Sequence, residues 1–149
     1  MKNAELQTVF QALCASQPNT TALLANASAF INETLDQINW VGFYLYDGQK
    51  LHVGPFQGRV ACSTIELGKG VCGTAAIRRQ TQIVDDVLAH DNHIACDENS
   101  RSEVVIPIII KNELFGVLDV DSPIFNRFDT DTVLLLESFV SILGQFIDI

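Results

Sequence analysis

The chain has 149 residues, of which 48% are hydrophobic, and this length and apolar content predict one domain with its own core. The formal net charge of −9 disfavours nucleic acid and anionic membranes as partners, because an acidic surface repels both. No apolar run is long enough to span a membrane and no signal peptide is apparent, so we expect a soluble, cytoplasmic protein whose cysteines form no structural disulfide framework.

The first half of the chain predicts two helices followed by three strands. The segment AELQTVFQALCA places its apolar side chains on one helical face together with Cys14, which is interpreted as a core residue. A second helix follows in NTTALLANASAFINETL, with Asn19 or Thr20 as its N-cap. The pattern then changes to that of a hairpin around DGQ in NWVGFYLYDGQKLHVGPFQG. A third strand is predicted in VACSTIEL, carrying Cys62.

The second half predicts a helix, a short strand, a long loop, a second hairpin and a final helix. GKGVCGTAAIRR is a glycine-rich turn that leads into a helix, and TQIVDDV is a short strand. Residues 85–102 are polar and without a period, and connections of this length are usually functional or disordered. EVVIPIII and LFGVLDVDS form the hairpin, and FDTDTVLLLESFVSILGQFIDI the last helix. This order predicts an α+β fold: a largely antiparallel sheet with helices on one face and a pocket under the long loop on the other.

Three cysteines are candidates for redox chemistry. Cys96 lies in IACDENSRSEVVIPI, among carboxylates just before an apolar run, so it is interpreted as an accessible, reactive thiol. Cys72 lies near the start of a predicted helix with Lys69 close by, a position that favours the thiolate. Simple packing among glycines is the alternative for Cys72, and Cys62 suits a core role as well as a reactive one.

Two further patterns suggest metal or nucleotide chemistry. In HDNHIAC, His90, His93 and Cys96 recur at three-residue steps, and three such ligands with a water would suit a catalytic zinc. A polar loop has no helical period to align them, so solvated histidines are favoured and no metal is expected. GKGVCGTAA lacks the frame of a phosphate-binding loop, so neither a nucleotide nor another cofactor is expected.

The carboxylates near the second hairpin are candidate binding residues. Asp119 and Asp121 lie two apart on a predicted strand, so both side chains point to the same face. Among apolar neighbours they are costly unless they face a cleft or a partner. Glu103 precedes the apolar run VVIPIII, and edge protection is the alternative for such charges. Trp40 is either core or an aromatic wall for an organic cation or a methyl group.

Together GKGVCGTAA, HIACDENSRSEVVIPI and GVLDVDSP resemble the free methionine-(R)-sulfoxide reductases, a family of GAF-domain enzymes. The resemblance covers nearly the whole chain and implies a single GAF domain over residues 1–149. It implies an oxidoreductase that converts free L-methionine-(R)-sulfoxide to L-methionine through cysteine sulfenic acid and a disulfide. Thioredoxin would recycle the enzyme, and the chain would form a homodimer.

The resemblance also implies roles for individual residues. Cys96 would be the nucleophile, and Cys62 and Cys72 would serve in disulfide formation and recycling, in an order that the sequence leaves open. The substrate pocket would use Trp40, Tyr44, Glu103, Asp119 and Asp121. A carboxyl group kept protonated by its neighbours would protonate the sulfoxide oxygen, and the cluster would hold the ammonium of a free amino acid. A ligand-binding GAF sensor module is the alternative function, because the fold supports either.

Overall fold

The computed structural model describes residues 1–90 and 97–148, so the predicted Cys96 and His93 lie outside the described residues. The elements follow the predicted order. The helices are α1 (Asn3–Ala15), α2 (Thr20–Thr34), α3 (Gly70–Arg78) and α4 (Thr130–Gly144), with a 3₁₀ helix at Val87–Ala89. The strands are β1 (Trp40–Tyr46), β2 (Lys50–Gly58), β3 (Thr64–Glu66), β4 (Gln82–Val84), β5 (Ser102–Ile110) and β6 (Glu113–Ser122). Among the described residues, no helix has the length and apolar character needed to cross a membrane.

The strands form one antiparallel sheet in the order β3-β2-β1-β6-β5-β4. Both predicted hairpins are present, and β6 lies beside β1 at the centre of the sheet. The β5–β6 turn has Lys111 and Asn112 at φ of 52° and 67°, the left-handed backbone that a tight two-residue hairpin requires. The α+β class with a mostly antiparallel sheet is therefore confirmed.

One face of the sheet packs against α1, α2 and α4. Alternate strand residues such as Val41, Phe43 and Val120 are completely buried there. The ring of Phe10 lies 4.6 Å from that of Phe139, centroid to centroid. Cys14 is buried in the same cluster, as predicted, and burial raises the pKa of its thiol to about 11. This core supports the sheet from behind and leaves its other face available for a site.

The opposite face is covered by α3. The sequence predicted that the long loop alone would cover this face. Val71 and Ala75 of α3 pack on Val105 and Val117 of the sheet. The helix lies close because its residues are small: a Cβ at Gly73 would come within 2.4 Å of the Glu66 carbonyl oxygen. Three helices therefore share one face, and the short α3 packs on the face that carries the site.

The region around Cys62 differs from the prediction as well. β3 begins at Thr64, so Cys62 lies before this strand and not on it. Only Thr64, Ile65 and Glu66 form the ladder with β2, and Ile65 is the buried member. The predicted strand was too long, because the apolar residues of VACSTIEL favour a strand whereas only Thr64–Glu66 pair with β2.

Candidate active site

Three carboxyl groups meet on the α3 side of the sheet, on its two long neighbouring strands. Glu103 of β5 pairs directly with Asp121 of β6, and Asp119 lies two residues earlier on β6. Their exposed fractions are only 6%, 9% and 5%, respectively. Asp119 and Asp121 share a face, as the two-residue spacing predicts. Edge protection does not account for them, because β6 is an interior strand and all three side chains are buried.

Burial and mutual repulsion keep protons on this cluster. Desolvation raises the pKa of Glu103, Asp119 and Asp121 well above the range of ordinary carboxyl groups, and repulsion among the three raises it further. One oxygen each of Asp119 and Asp121, Oδ1, is buried without a hydrogen-bond partner. Close carboxyl groups titrate as a set, so the cluster holds shared protons and offers unused hydrogen-bonding capacity.

The Cys72 thiol lies against the carboxyl cluster and is protonated. Its Sγ and carboxyl oxygens of Glu103 and Asp119 lie within 4.8 Å of one another. Burial first, and then the nearby carboxylates, raise the pKa of Cys72, and its thiol donates a hydrogen bond to Asp119. The expected thiolate at the start of α3 is therefore wrong. The partial positive charge of a helix N-terminus is outweighed by desolvation and three acidic neighbours.

An aromatic wall flanks the carboxyl cluster. The Trp40 ring stacks on Tyr44 and Phe56, with centroids 5.7 and 5.0 Å apart. Trp40 Nε1 donates a hydrogen bond to the Arg59 carbonyl oxygen at 3.1 Å, and the Tyr44 hydroxyl donates one to the Cys62 carbonyl oxygen at 3.2 Å. These bonds hold the rings in place. Phe56 was missed in the sequence, because its proximity depends on the pairing of Gly42 with Phe56 across β1 and β2.

A short segment after the undescribed residues closes one side of the site. Asn39 Nδ2 donates hydrogen bonds to Asp97 Oδ2 at 2.9 Å and to Ser100 Oγ at 3.2 Å. The Asn39 backbone N–H donates to the Asp121 carbonyl oxygen at 2.9 Å. Sequence reasoning assigned no role to Asn39 or Ser100, because residues about 60 apart in the chain give no local signal.

These elements surround one cavity with two kinds of charge. Its wall includes the rings of Trp40 and Tyr44, the carboxyl cluster, and the start of α3 with Lys69. The full lining is Trp40, Tyr44, Val60, Ala61, Ile65, Lys69, Gly70, Val71, Cys72, Asp97, Ser100, Glu103, Asp119 and Asp121. A helix N-terminus carries a partial positive charge, so acidic and basic groups face the same space.

Comparison with known proteins shows the family to which the chain belongs. A family model described as GAF domain matches residues 19–148. The chain is 48% identical over 142 residues to the free methionine-R-sulfoxide reductase of Escherichia coli (strain K12), a match covering 95% of this chain and 86% of that protein. This chain belongs to the GAF-domain family of free methionine-(R)-sulfoxide reductases. A relative of the same name from Saccharomyces cerevisiae is 40% identical over 144 residues, covering 91% of this chain and 80% of that protein.

Solved structures of the reductase family have the same fold. The reduced form of fRMsr of Staphylococcus aureus has a TM-score of 0.94 and 46% identity, covering 99% of this chain and 96% of that chain. Free methionine-R-sulfoxide reductase from Neisseria meningitidis, in complex with its substrate, has a TM-score of 0.92 and 39% identity, covering 97% and 87%. A putative GAF sensor protein from Burkholderia vietnamiensis has a TM-score of 0.92 and 46% identity, covering 98% and 96%. The expected GAF fold is confirmed.

The structure brings together most of the residues that the reductase resemblance implied. Trp40, Tyr44 and Cys72 line the cavity with the three carboxyl groups. Cys62 is joined to this wall through its carbonyl contact with Tyr44. Cys62 is disulfide-bonded, and Cys14 and Cys72 are free. The predicted nucleophile Cys96 lies outside the described residues, so its role remains a prediction.

Among residues 1–90 and 97–148, one group of three candidate metal-ligand side chains is close enough to share an ion. Cys72, Glu103 and Asp119 offer donor atoms close enough to contact one ion. Their raised pKa values favour the protonated forms, and a metal would have to displace those protons, which weakens binding. The alternative zinc site of His90, His93 and Cys96 falls partly outside the described residues and remains a hypothesis.

Proposed function

We propose that this chain reduces free L-methionine-(R)-sulfoxide to L-methionine. The observation that carries the proposal is the buried, proton-holding cluster of Glu103, Asp119 and Asp121 beside the Trp40 ring in one cavity. The proposal is also supported by the reductases of known name to which the chain is similar, one of them solved in complex with its substrate.

Recognition of a free amino acid follows from the charges of the cavity. The ammonium of the substrate would be attracted by the carboxyl cluster, and its carboxylate by Lys69 and the start of α3. The S-methyl group would pack on the indole of Trp40. A sulfoxide inside a peptide has no free ammonium or carboxylate, so it loses both charge interactions. This arrangement supports a preference for free methionine sulfoxide.

The carboxyl cluster supplies the proton that the reaction needs. A thiolate attacks a sulfoxide sulfur efficiently only when the sulfoxide oxygen accepts a proton or a strong hydrogen bond. A carboxyl group with a raised pKa keeps its proton to a higher pH than an ordinary carboxyl group and can serve as this general acid. Because Glu103, Asp119 and Asp121 share their protons, the role is proposed for the cluster and not for one member.

The cysteines carry the oxygen and the electrons. Cys96 attacks the sulfoxide sulfur, the oxygen passes to Cys96 as sulfenic acid, and methionine leaves. A second thiol then condenses with the sulfenic acid, forming a disulfide and releasing water. Cys62 is the proposed partner, since it is disulfide-bonded while Cys14 and Cys72 are free. A dithiol protein of the thioredoxin type returns two electrons by disulfide exchange.

Several wider properties remain proposals that rest on the family resemblance. Residues 1–149 would form a single GAF domain, acting as a homodimer in the cytoplasm with thioredoxin as reductant. The acidic net charge of −9 is compatible with a function that involves neither nucleic acid nor membrane.

A GAF sensor module is the second candidate function. The observation that favours it is the similarity to the putative sensor protein of Burkholderia vietnamiensis, whose fold and identity match as well as those of a reductase. A sensor would bind its ligand reversibly in the same cavity without turnover. Catalytic turnover therefore distinguishes the two functions, whereas ligand binding does not.

The deciding experiment measures methionine released from the separate R and S epimers of free methionine sulfoxide, with dithiothreitol as reductant. A peptide-bound sulfoxide is the control substrate. Turnover of the free R epimer alone is expected. Reversible binding without turnover by folded, fully reduced protein would reject the reductase and favour the sensor.

The two candidate resolving cysteines are expected to behave differently. Cys62→Ser should release about one methionine per chain in a single turnover but lose recycling by thioredoxin, because no partner disulfide forms. Cys72→Ser should keep both activities within about threefold, because burial and the nearby carboxyl groups raise the pKa of the Cys72 thiol and make it a weak nucleophile. Methionine release and thiol counts with thioredoxin as reductant test this. Loss of recycling in Cys72→Ser alone would reverse the assignment.

A further inference from the structure

Ser100 is a buried hydroxyl on the cavity wall that has a hydrogen to donate. Its side chain is 4% exposed, and it lines the same cavity as Glu103 and Asp121. Ser100 Oγ accepts a hydrogen bond from Asn39 Nδ2 at 3.2 Å. A serine hydroxyl also carries one donor hydrogen, and within residues 1–90 and 97–148 this hydrogen has no acceptor. A buried donor of this kind is costly unless a ligand uses it.

The direction of the bond between Asn39 and Ser100 is set by Asp97. The second N–H of the Asn39 amide donates to Asp97 Oδ2 at 2.9 Å. If the amide were reversed, its Oδ1 would face the Asp97 carboxylate, and the two acceptors would repel each other. Asn39 must therefore present its nitrogen, and Ser100 must accept. The hydroxyl hydrogen of Ser100 is therefore not used in this bond and can be donated to another group.

The same segment is held against the carboxyl cluster. The Arg101 N–H donates to the Ser122 carbonyl oxygen at 2.7 Å, directly after Asp121 on β6. The Asn39 N–H donates to the carbonyl oxygen of Asp121 itself at 2.9 Å. The hydroxyl of Ser100 thus lies on the part of the cavity wall where the proposed proton donors are found.

We propose that Ser100 donates a hydrogen bond to the sulfoxide oxygen of the substrate, and that Asn39 is the positioning residue that orients it. This inference rests on the proposed reductase function. Of the polar groups of the substrate, the ammonium has no lone pair to accept the bond, and the carboxylate is expected near Lys69 and α3. The sulfoxide oxygen is the acceptor that remains.

Such a bond strengthens as the reaction proceeds. Negative charge grows on the sulfoxide oxygen while the thiolate attacks sulfur, so a fixed donor stabilises the transition state more than the bound substrate. The Ser100 bond would act together with the proton from the cluster and would not replace it. Removal of the hydroxyl should therefore lower kcat and change KM little.

The test compares kcat and KM for free methionine-(R)-sulfoxide in Ser100→Ala, Asn39→Ala and the double variant. Ser100→Ala is expected to lower kcat roughly 10-fold, with KM changed less than about twofold. Asn39→Ala should lower kcat by about fivefold, and the double variant should lose no more than Ser100→Ala alone, because both act through one hydroxyl. Ser100→Thr, which keeps a hydroxyl, should recover most of the rate.

Ser102→Ala is the matched control for folding. Ser102 is fully buried two residues away, but it donates to the Ile124 carbonyl oxygen at 2.6 Å, so its loss should lower Tm and leave kcat unchanged. A Ser100→Ala enzyme with unchanged kcat overturns the inference while the reductase function stands. A raised KM with unchanged kcat overturns the assignment to the sulfoxide oxygen. If the wild-type chain shows no turnover, the proposed function itself fails, and the inference falls with it.

Discussion

Cys96→Ser is expected to abolish reduction of free methionine-(R)-sulfoxide, with a loss of roughly 1,000-fold or more in kcat. A serine hydroxyl is far less nucleophilic than a thiolate towards sulfur, and it cannot form the sulfenic acid. The loss should appear even in a single turnover, before any recycling by a reductant. Methionine release per chain, measured by rapid mixing without added thiol, checks the prediction.

Cys14→Ala is the matched control for this experiment. Cys14 is a buried thiol as well, but it packs between helices on the far face of the sheet and is not part of the cavity. Its replacement should change activity less than about twofold, although it removes some core packing. Full activity in Cys96→Ser would reject the proposed mechanism, and a sensitive Cys14→Ala would indicate damage to the fold instead.

Each neutral replacement in the carboxyl cluster is expected to lower kcat/KM roughly 100-fold. The variants are Glu103→Gln, Asp119→Asn and Asp121→Asn. Each change removes a proton site and a countercharge for the substrate ammonium while keeping the side-chain shape. Glu113→Gln is the control, because Glu113 is exposed at the other end of β6. Equal activity in all four variants would show that the carboxyl cluster takes no part in the mechanism.

The pH dependence of activity follows from the same cluster. Burial and mutual repulsion raise its pKa well above that of ordinary carboxyl groups, so activity should fall as pH rises through that pKa and the general acid is lost. Lys69, Cys72, Tyr44 and Asp97 face the same cavity as the cluster. A profile of kcat/KM against pH in Glu103→Gln should show this alkaline limb displaced or lost.

Stability should respond to pH with a defined sign. The folded chain keeps protons on the cluster that the unfolded chain releases above about pH 4, the ordinary carboxyl pKa. The contribution of the cluster to stability is therefore fully present at low pH and decreases as pH rises towards the folded pKa. Glu103→Gln should unfold at a higher urea concentration than the wild type at about pH 8, and the gain should shrink at about pH 5. A loss of stability at both values would contradict this sign.

The order of elements was predictable because hydrophobic periodicity is local. A period near four in AELQTVFQALCA and the turn residues of DGQ act within a few positions, so they are visible in the sequence. The placement of α3 on the site face was not predictable, because its small apolar residues fit either face. The protonated state of Cys72 was predicted wrongly, because desolvation depends on everything that packs around the thiol.

The sequence by itself determined that Asp119 and Asp121 point the same way, since side chains alternate along any strand. It did not determine that Glu103 joins them. The turn pairs Ile110 with Glu113, and a regular ladder from there would place Glu103 opposite Val120, on the wrong face for both aspartates. The bulge next to Ile108 shifts the register by one residue and pairs Glu103 with Asp121 instead. Only the folded sheet decides this shift, because the helical core accepts Val120 and excludes the carboxylates.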